Sequence, residues 1–488
     1  MIWPLGSHRT TITRFLQVFF CIEPSLLDSG LRSRAVGETL TDLLNSLQDG
    51  VNPDDIKQSI LPDFWSIPGT DEITRALGLN ETGIRNLPFE FLNIPGYANY
   101  TPQGWNLRIH GMAYKQPLSG PGVVSNHTLD KAANKFLPDF DVGELQPHEQ
   151  DNARNLTSAI LSLPQAGEKL LFTLDVREGQ SFQSGWAGVV EWAKAMDSRG
   201  EIDGFVRLPT NNENDLPDGN ATNAKVVELD VHTNRTDTGN ATAYLVPRDG
   251  ITILSDIDDI LRVTKIYLPK EGLLNSFARD FVPWMNMPEI FAGWLRQHPE
   301  SPYHFHYLTT TPEQATRVYM DFIYKTYPLG SFDTRPLNFT TVDQTFSVRR
   351  TILNRIFQTF PSRKFILIGD TTNSDVMGDY PELVSAFPGQ VQCILLRNTS
   401  ATDPENKFPY NTKGFERLKL GQYMFFTTPD DLRGLDFANG DCRNASARVG
   451  TVDFSWQGLP FEKSAAGGRV RGNMWAAVVA MVALAVFL

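Results

Sequence analysis

Short apolar stretches alternate with amphipathic stretches between residues 248 and 400. Apolar runs rich in β-branched residues predict buried strands, and apolar residues spaced three and four apart predict helices. The predicted strands are Gly250–Ser255, Tyr303–Leu308, Lys364–Gly369 and Val391–Leu396. The predicted helices are Pro288–Gln297, Gln314–Thr326 and Ser347–Phe360. Because strands that alternate with helices form a parallel sheet, this segment is predicted to be a Rossmannoid α/β domain.

The pattern differs upstream of this α/β domain. Alternating or apolar runs predict strands at Trp105–Tyr114, Lys169–Val176 and Gly204–Leu208, and therefore a β-rich N-terminal domain. Still earlier, leucines at three- and four-residue spacing predict a helix within Val36–Leu47.

Composition excludes several classes of protein. The chain has 44 Lys and Arg against 56 Asp and Glu, a net charge of -12, which argues against a nucleic-acid partner. Its 41% hydrophobic content is typical of globular proteins and excludes fibrous or fully disordered chains. Three cysteines are too few for a disulfide scaffold or a cysteine-based zinc site.

Glycosylation sequons are more frequent than chance predicts. Ten of the 29 asparagines lie in Asn-X-Ser/Thr sequons, where chance would give roughly four. They are Asn80, Asn99, Asn126, Asn155, Asn220, Asn234, Asn240, Asn338, Asn398 and Asn444. This excess favours a chain that enters the secretory pathway; a bias toward polar loops is the alternative.

The C-terminal sequence supports the secretory interpretation. Small residues at 464–468 and a polar spacer, Arg469–Asn473, precede 15 apolar residues, Met474–Leu488. This order is typical of a signal for a GPI anchor, which would attach at Ser464 or at a nearby small residue and bring the protein to the cell surface. A cytosol-facing tail anchor is the alternative, and it would leave the sequons unused.

The N-terminal sequence resembles a signal peptide. Two arginines precede the apolar run Phe15–Ile22, which contains Cys21. Removal of this segment would leave Cys393 and Cys442, which could form a disulfide or remain two unrelated thiols. The predicted divisions are a signal peptide (1–29), a β-rich domain (30–247), an α/β domain (248–400), a C-terminal extension (401–463) and an anchor signal (464–488).

Carboxylates follow two of the predicted buried strands. Asp256, Asp258 and Asp259 come directly after the first strand, and Asp370 and Asp375 follow the third. Carboxylates this close repel one another unless a cation holds them, and Asp oxygens are suitable ligands for Mg²⁺. If the two strands are neighbours, the carboxylates of Asp256, Asp370 and Asp375 meet at one magnesium site.

These motifs resemble the haloacid dehalogenase superfamily of phosphotransferases. The resemblance rests on Asp256-Ile-Asp258 after the first strand, Thr309 after the second, Arg349 upstream of the third, and Gly369-Asp370 with Asp375. It implies that Asp256 is the nucleophile and that Asp258 is the acid/base, its carbonyl also binding the metal.

The remaining roles also come from this resemblance. Thr309 would bind a phosphoryl oxygen, and Arg349 or its neighbour Arg350 would neutralise the phosphate. Asp370 and Asp375 would complete the Mg²⁺ site.

A narrower resemblance is to the fungal actin-patch phosphatidate phosphatase family. The similar segments are Leu254–Lys265, Phe305–Thr309, Pro328–Ser331 and Phe360–Asp370, together with Gly104–Gly111 upstream. The resemblance implies Mg²⁺-dependent hydrolysis of phosphatidate to diacylglycerol at a membrane surface. A phosphatase of a soluble phosphomonoester and a non-catalytic cell-surface glycoprotein are the alternatives.

Three positions depart from the family pattern. Ile260 replaces Thr or Val, Arg349 replaces Lys, and Glu313 stands where the family tends to have Trp. The last change concerns lipid specificity more than chemistry. His304 and His306 share one strand face, but Mg²⁺ does not favour imidazole, so they are expected to be structural.

Overall fold

The computed structural model describes residues 73–75 and 79–445, with gaps of which the longest are 118–124, 179–185, 210–215, 336–341 and 404–411. The expected signal peptide, the Val36–Leu47 helix, Asn338 and the anchor signal at 464–488 lie outside the described residues. In the described part, no helix is long and apolar enough to cross a membrane.

The N-terminal region forms one mixed sheet, as the alternating sequence patterns predicted. Its strands are β1 (Phe89–Ile94), β2 (Tyr97–Thr101), β3 (Gly104–Lys115), β4 (Leu163–Pro164), β5 (Leu171–Val176), β6 (Ala187–Glu191), β7 (Glu201–Arg207), β8 (Val227–Thr233) and β9 (Ala241–Val246). The main strand order is β1-β3-β2-β9-β8-β5-β6, and β4 and β7 also pair with the long strand β3.

Helices that the sequence analysis did not predict accompany this sheet. They are α1 (Glu81–Asn86), α2 (Asn126–Phe136) and α3 (Pro147–Ile160). Ser125 caps α2 by accepting a hydrogen bond from the amide of Thr128, and Pro147 occupies the first position of α3. These cap residues were the available signals, since the helices are only weakly apolar.

The α/β region forms a second, parallel sheet. Its strands are β10 (Ile251–Asp256), β11 (His304–Pro312), β12 (Ser331–Arg335), β13 (Lys364–Asp370), β14 (Val391–Arg397) and β15 (Tyr423–Phe426). Its helices are α4 (Pro269–Phe277), α5 (Met287–Gln297), α6 (Glu313–Thr326), α7 (Val342–Thr359), α8 (Ser374–Ala386) and α9 (Thr399–Thr402). The order β12-β11-β10-β13-β14-β15 confirms the predicted parallel α/β architecture.

The sheet continues into the segment that the sequence analysis set apart as an extension. Strand β15 pairs in parallel with β14. A disulfide joins Cys393 on β14 to Cys442, with the Cα atoms 5.3 Å apart. The open question about these two cysteines is thus resolved in favour of a pair, which attaches the segment beyond residue 400 to the sheet.

The edge strand β12 was not predicted from its sequence because charged residues interrupt its apolar pattern. It contacts the N-terminal sheet, where the amide of Phe332 donates to the carbonyl of Pro95 at 2.9 Å. Asp333 on β12 is completely buried and accepts hydrogen bonds from Arg108 on β3 at 2.8 Å and from Arg355 on α7 at 2.6 Å. Both arginines also contact Asp203 on β7, at 2.7 and 2.8 Å.

This network of four charges joins the two sheets; Arg108 and Asp333 are buried, whereas Arg355 and Asp203 are 29% and 35% exposed. Burial opposes ionisation of Asp333, but the guanidinium groups of Arg108 and Arg355 hold its pKa well below its usual range. His306 adds an ion-pair contact to Asp333 at 3.2 Å, and it shares the hydroxyl of Ser331 with His304. Both histidines are therefore part of the link between the sheets.

Asp333→Asn is expected to lower the free energy of unfolding by about 3–5 kcal/mol, because it leaves the buried guanidinium of Arg108 and the partly exposed one of Arg355 without their shared counter-charge. Urea denaturation at neutral pH measures this change. Asp430→Asn, which removes a partner from the exposed Asp430–Arg433 pair, serves as the control and should leave the midpoint unchanged. Equal midpoints for wild type and Asp333→Asn would contradict the structural role of the network.

Candidate active site

Three neighbouring strands end side by side at one edge of the parallel sheet. In the register, Asp256 on β10 lies opposite Leu308 on β11, and Ser255 lies opposite Ile368 on β13. Across the carboxyl edge, Asp256 therefore lies between Thr309 and Asp370, as expected for neighbouring parallel strands.

Asp256 is 2% exposed and sits among donors from three segments. Its Oδ1 accepts a hydrogen bond from the amide of Ile257 at 3.0 Å, and its Oδ2 accepts one from Asn373 Nδ2 at 3.4 Å. Arg349 Nη2 lies 3.1 Å from the same Oδ2. Burial raises the pKa of Asp256 to about 6, against the lowering effect of Arg349, and the charge of Asp258 adds to the rise.

Arg349 projects from α7 and is completely buried. Its Nε and Nη1 atoms have no hydrogen-bond partner among the described residues. Buried donors without acceptors are costly, so these groups favour an anion beside Asp256. Arg350, the neighbouring candidate, is 46% exposed and instead pairs with Asp379 and Glu382. The structure therefore brings Arg349 to Asp256 and leaves Arg350 outside.

The two carboxylate oxygens of Asp258 have different hydrogen-bond partners. Its Oδ1 accepts hydrogen bonds from Arg262 Nε at 3.0 Å and from Thr264 Oγ1 at 2.8 Å. Its Oδ2 accepts a long one, 3.4 Å, from Thr309 Oγ1. This second oxygen is therefore the one on the side of the phosphate-binding candidate Thr309.

Asp259 closes the loop that follows β10. It adopts a left-handed conformation with φ of 55°, which short polar side chains tolerate. Its Oδ1 accepts the amides of Thr264 at 3.0 Å and Lys265 at 2.7 Å, and its carbonyl accepts from Arg397 on β14. The loop is thus held from both of its ends.

Asp370 has one satisfied and one unsatisfied oxygen. Oδ1 accepts the amide of Thr372 at 2.7 Å and also its hydroxyl, whereas the buried Oδ2 has no hydrogen-bond partner among the described residues. Burial and the charges of Asp259 and Asp256 raise the pKa of Asp370 to about 7. An unpartnered oxygen beside other carboxylates fits a cation such as Mg²⁺.

A group of several ligating side chains usually holds a metal ion in a protein. Among the described residues, no group of three or more His, Cys, Asp or Glu side chains is arranged to hold a metal. The motifs predicted three ligating carboxylates, from Asp256, Asp370 and Asp375, together with the main-chain carbonyl of Asp258, and the described structure does not show these three side chains as such a group. The smaller candidate set is the side chains of Asp256 and Asp370 with the carbonyl of Asp258. Mg²⁺ commonly keeps several waters, so such a set fits it.

Asp375 stands apart from the other predicted ligands. It lies in the first turn of α8, where Asn373 caps its amide at 3.1 Å. Its charge acts on Arg349 and on Asp379, and burial followed by this charge raises the pKa of Asp379 to about 7. The charge of Asp375 therefore acts on Arg349, whereas Asp259 is the main charge acting on Asp370.

Two contacts to the site carboxylates were missed in the sequence. Arg262 lies four residues after Asp258, a spacing that allows a local ion pair. Asn373 precedes a helix, which signals a capping residue, but its second contact to Asp256 depends on the tertiary fold. At Gly369, a Cβ would lie 2.7 Å from Val376 Cγ1, so the close packing of α8 against β13 requires glycine.

The predicted glycosylation sites differ in accessibility. Exposed sequon asparagines are Asn80, Asn126, Asn155, Asn220 and Asn240; partly buried ones are Asn99, Asn234 and Asn444. Asn398 is 7% exposed, at the end of β14. A buried side chain is a poor position for a glycan in the folded protein, so Asn398 is the least accessible of the described sequons.

Residues 251–398 match the family model described as phosphatidate phosphatase APP1, catalytic domain. Because of this similarity, the segment 251–398 is called the APP1-like domain. The chain is also 28% identical over 153 residues to phosphatidate phosphatase APP1 of Saccharomyces cerevisiae, a match that covers 30% of this chain and 26% of the yeast protein. The chain therefore matches about a quarter of the length of that relative.

The APP1-like domain contains the whole strand-end site. The two matches confirm the resemblance to the phosphatidate phosphatase family that the similar segments indicated. Asp203, which pairs with Arg355 on α7, and Arg108, which pairs with Asp203, lie outside the matched segment. The N-terminal sheet thus supports a domain whose family match does not include it.

Asp370→Asn is expected to stabilise the metal-free protein, because it removes a buried charge that neighbouring carboxylates oppose. A folded pKa of about 7 against 3.8 means that wild type loses stability as pH rises between these values. The variant's advantage should therefore grow across that interval and then stay constant, exceeding about 1 kcal/mol. Denaturation in chelator between about pH 4.5 and 8.5 measures this difference.

Asp203→Asn is the control of opposite sign. Burial opposes its ionisation, but Arg108 and its other cationic neighbours lower the pKa of Asp203 to about 2. Its loss should destabilise the protein at neutral pH, and less so as pH falls below about 4. An Asp370→Asn difference that does not change with pH would contradict the assignment.

Proposed function

We propose that this chain is a Mg²⁺-dependent phosphatidate phosphatase that forms diacylglycerol and phosphate through an aspartyl-phosphate. The observation that carries the proposal is the pairing of Asp256 with Arg349 inside an APP1-like domain. The buried carboxylate could attack a phosphate, and the unused N–H donors of the guanidinium beside it would donate hydrogen bonds to the phosphate oxygens.

The strand order supports a haloacid dehalogenase-like assignment. Strand β10 is central and carries the nucleophile candidate, β11 beside it carries Thr309, and β13 on its other side carries Asp370. Three of the four motifs that carried the resemblance thus lie at one sheet edge, as a shared phosphotransferase site requires.

In the first step, the Asp256 carboxylate attacks phosphorus and the bond from phosphorus to the glycerol oxygen breaks. Asp258 gives its proton to the departing oxygen, which yields diacylglycerol and the aspartyl-phosphate. Arg349 and Thr309 stabilise the phosphoryl oxygens on which charge accumulates.

In the second step, water attacks the phosphorus of the aspartyl-phosphate. Asp258, now ionised, takes a proton from that water, and the bond between phosphorus and Asp256 breaks. Phosphate leaves, and Asp256 returns as a carboxylate while Asp258 again holds a proton.

Mg²⁺ would be held by the carboxylates of Asp256 and Asp370 and by the carbonyl of Asp258. When bound, it would offset the repulsion between the nucleophile and the phosphate. Its charge would also favour the ionised forms of both carboxylates, whose pKa values burial raises to about 6 and about 7. The unpartnered oxygen of Asp370 supports this assignment.

A phosphatase of a soluble phosphomonoester is the second candidate, and one position favours it. Glu313, which replaces an aromatic residue of the family pattern, is buried against His110 on β3. A carboxylate there contacts the N-terminal sheet and offers no apolar surface to an acyl chain. The two candidates share the same chemistry and differ in what lies beyond the phosphate.

Asp256→Asn should lower turnover at least about 10³-fold, because an amide cannot act as the nucleophile. Purified full-length protein is assayed with Mg²⁺ on phosphatidate vesicles and on small phosphomonoesters, and again with chelator, which should abolish turnover. Asp249→Asn, in the exposed bend that precedes β10, is the matched control and should keep full activity.

The choice of substrate decides between the candidates. Preference for vesicles supports the lipid phosphatase, and preference for small esters supports the second candidate. Absence of turnover on both substrates would overturn the enzymatic proposal and favour a non-catalytic cell-surface glycoprotein.

We further propose that the protein matures in the secretory pathway and is held at the cell surface by a GPI anchor at Ser464. The Cys393–Cys442 disulfide supports this, because disulfides persist in oxidising compartments. The exposed sequons support it as well. The enzyme would then meet its lipid at the membrane surface that carries the anchor.

A phospholipase specific for GPI anchors should release the protein from cells, and an N-glycosidase should increase its electrophoretic mobility. Asn126→Gln should remove one glycan, whereas Asn398→Gln should leave the glycan number unchanged because Asn398 is buried. A protein that neither enzyme affects would instead fit the cytosol-facing tail anchor.

A further inference from the structure

Arg262 is a completely buried arginine in the loop that follows β10. Its guanidinium carbon lies 4.1 Å from the ring centre of Phe281 and 4.2 Å from that of Tyr319. Two aromatic faces so close to the guanidinium restrict its movement and stabilise its charge.

Hydrogen bonds define the orientation of this guanidinium. Nε donates to Asp258 Oδ1 at 3.0 Å and to Thr264 Oγ1 at 3.1 Å, and Nη2 donates to Ser276 Oγ at 3.1 Å. Thr264 in turn donates to the same Asp258 Oδ1 at 2.8 Å. One oxygen of Asp258 is therefore held by two donors, both backed by further contacts.

The other oxygen of Asp258 is much less constrained. Among the described residues, Oδ2 accepts one long hydrogen bond, from Thr309 at 3.4 Å. Rotation of the carboxylate would exchange the two oxygens, and the paired donors at Oδ1 oppose that rotation. Asp258 thus keeps one anchored oxygen and one oxygen facing the strand-end site.

We propose that Arg262 is a positioning residue for proton transfer, because it anchors Asp258 Oδ1 and so presents Oδ2 to the leaving group and to water. The inference rests on the proposed function, in which Asp258 is the acid and base. Arg262 itself touches neither the substrate nor the reacting atoms.

Arg363 shows what a structural buried arginine looks like in this fold. It is 2% exposed, and it donates to Thr252 Oγ1 at 2.9 Å and to main-chain carbonyls, including that of Pro247 at 2.8 Å. These acceptors lie at the amino end of the sheet, away from the site carboxylates. Arg363 therefore serves as the matched control for Arg262.

The test uses two phosphomonoesters that differ in their leaving groups. Soluble short-chain phosphatidate releases an alkoxide that needs a proton, whereas 4-nitrophenyl phosphate releases a stable phenolate that does not. The measured quantity is kcat/KM, which covers only the steps up to formation of the aspartyl-phosphate and so leaves out its later hydrolysis.

Arg262→Met should lower kcat/KM on phosphatidate by about 10²-fold or more and leave the nitrophenyl ester within a few-fold of wild type. Asp258→Asn should show the same selectivity. The double variant should be no worse than Asp258→Asn, because both changes remove one function. Arg363→Met should affect both esters equally.

Equal losses on both esters for Arg262→Met, or additive losses in the double variant, would overturn the inference while leaving the proposed function intact. Failure of wild type to hydrolyse either ester would overturn both. If Arg262→Met does not fold, Arg262→Lys carries the test. Its ammonium keeps the buried charge but not the fixed Nε geometry, so selective loss on phosphatidate is again expected.

Discussion

Burial of several carboxylates at one edge of a parallel sheet is the constraint on which this structure depends. Asp256 and Asp370 both have raised pKa values because burial and neighbouring charges oppose their ionisation. Arg349 offsets part of this cost at Asp256, and nothing comparable faces the unpartnered oxygen of Asp370 among the described residues. A site with this electrostatic imbalance is suited to a cation and a phosphate together. The cation would offset the repulsion between the carboxylates and the phosphate, and the phosphate would offset the repulsion between the cation and Arg349.

The N-terminal sheet acts on this site through α7. That helix carries Arg349 toward the site and Arg355 toward Asp333 and Asp203, so the helix that positions the guanidinium is itself anchored between the two sheets. Removing Arg108 and Asp333 from water costs free energy, but the ion network that they form with Arg355 and Asp203 defines one relative position of the two sheets. The APP1-like domain thus depends on residues that its family match does not include.

Local pattern and local motifs predicted most of the α/β sheet. Strands such as Lys364–Asp370 are buried on both faces and therefore read as continuous apolar runs. β12 escaped prediction because Asp333 and Arg335 interrupt its pattern, and Asp333 is tolerated there only through Arg108 and Arg355 from distant segments. Charges that are neutralised by remote partners leave no periodic signal.

The sequence by itself determined the motif residues, because each lies at the end of a recognisable strand and strand ends meet at one edge. Tertiary structure decided what surrounds them: Arg349 instead of Arg350 at Asp256, Asn373 at Asp256, and Arg262 at Asp258. It also decided that Asn398 is buried although its sequon is intact. The physical reason is that helix rotation and side-chain burial depend on packing between segments far apart in the chain, which spacing along the chain does not encode.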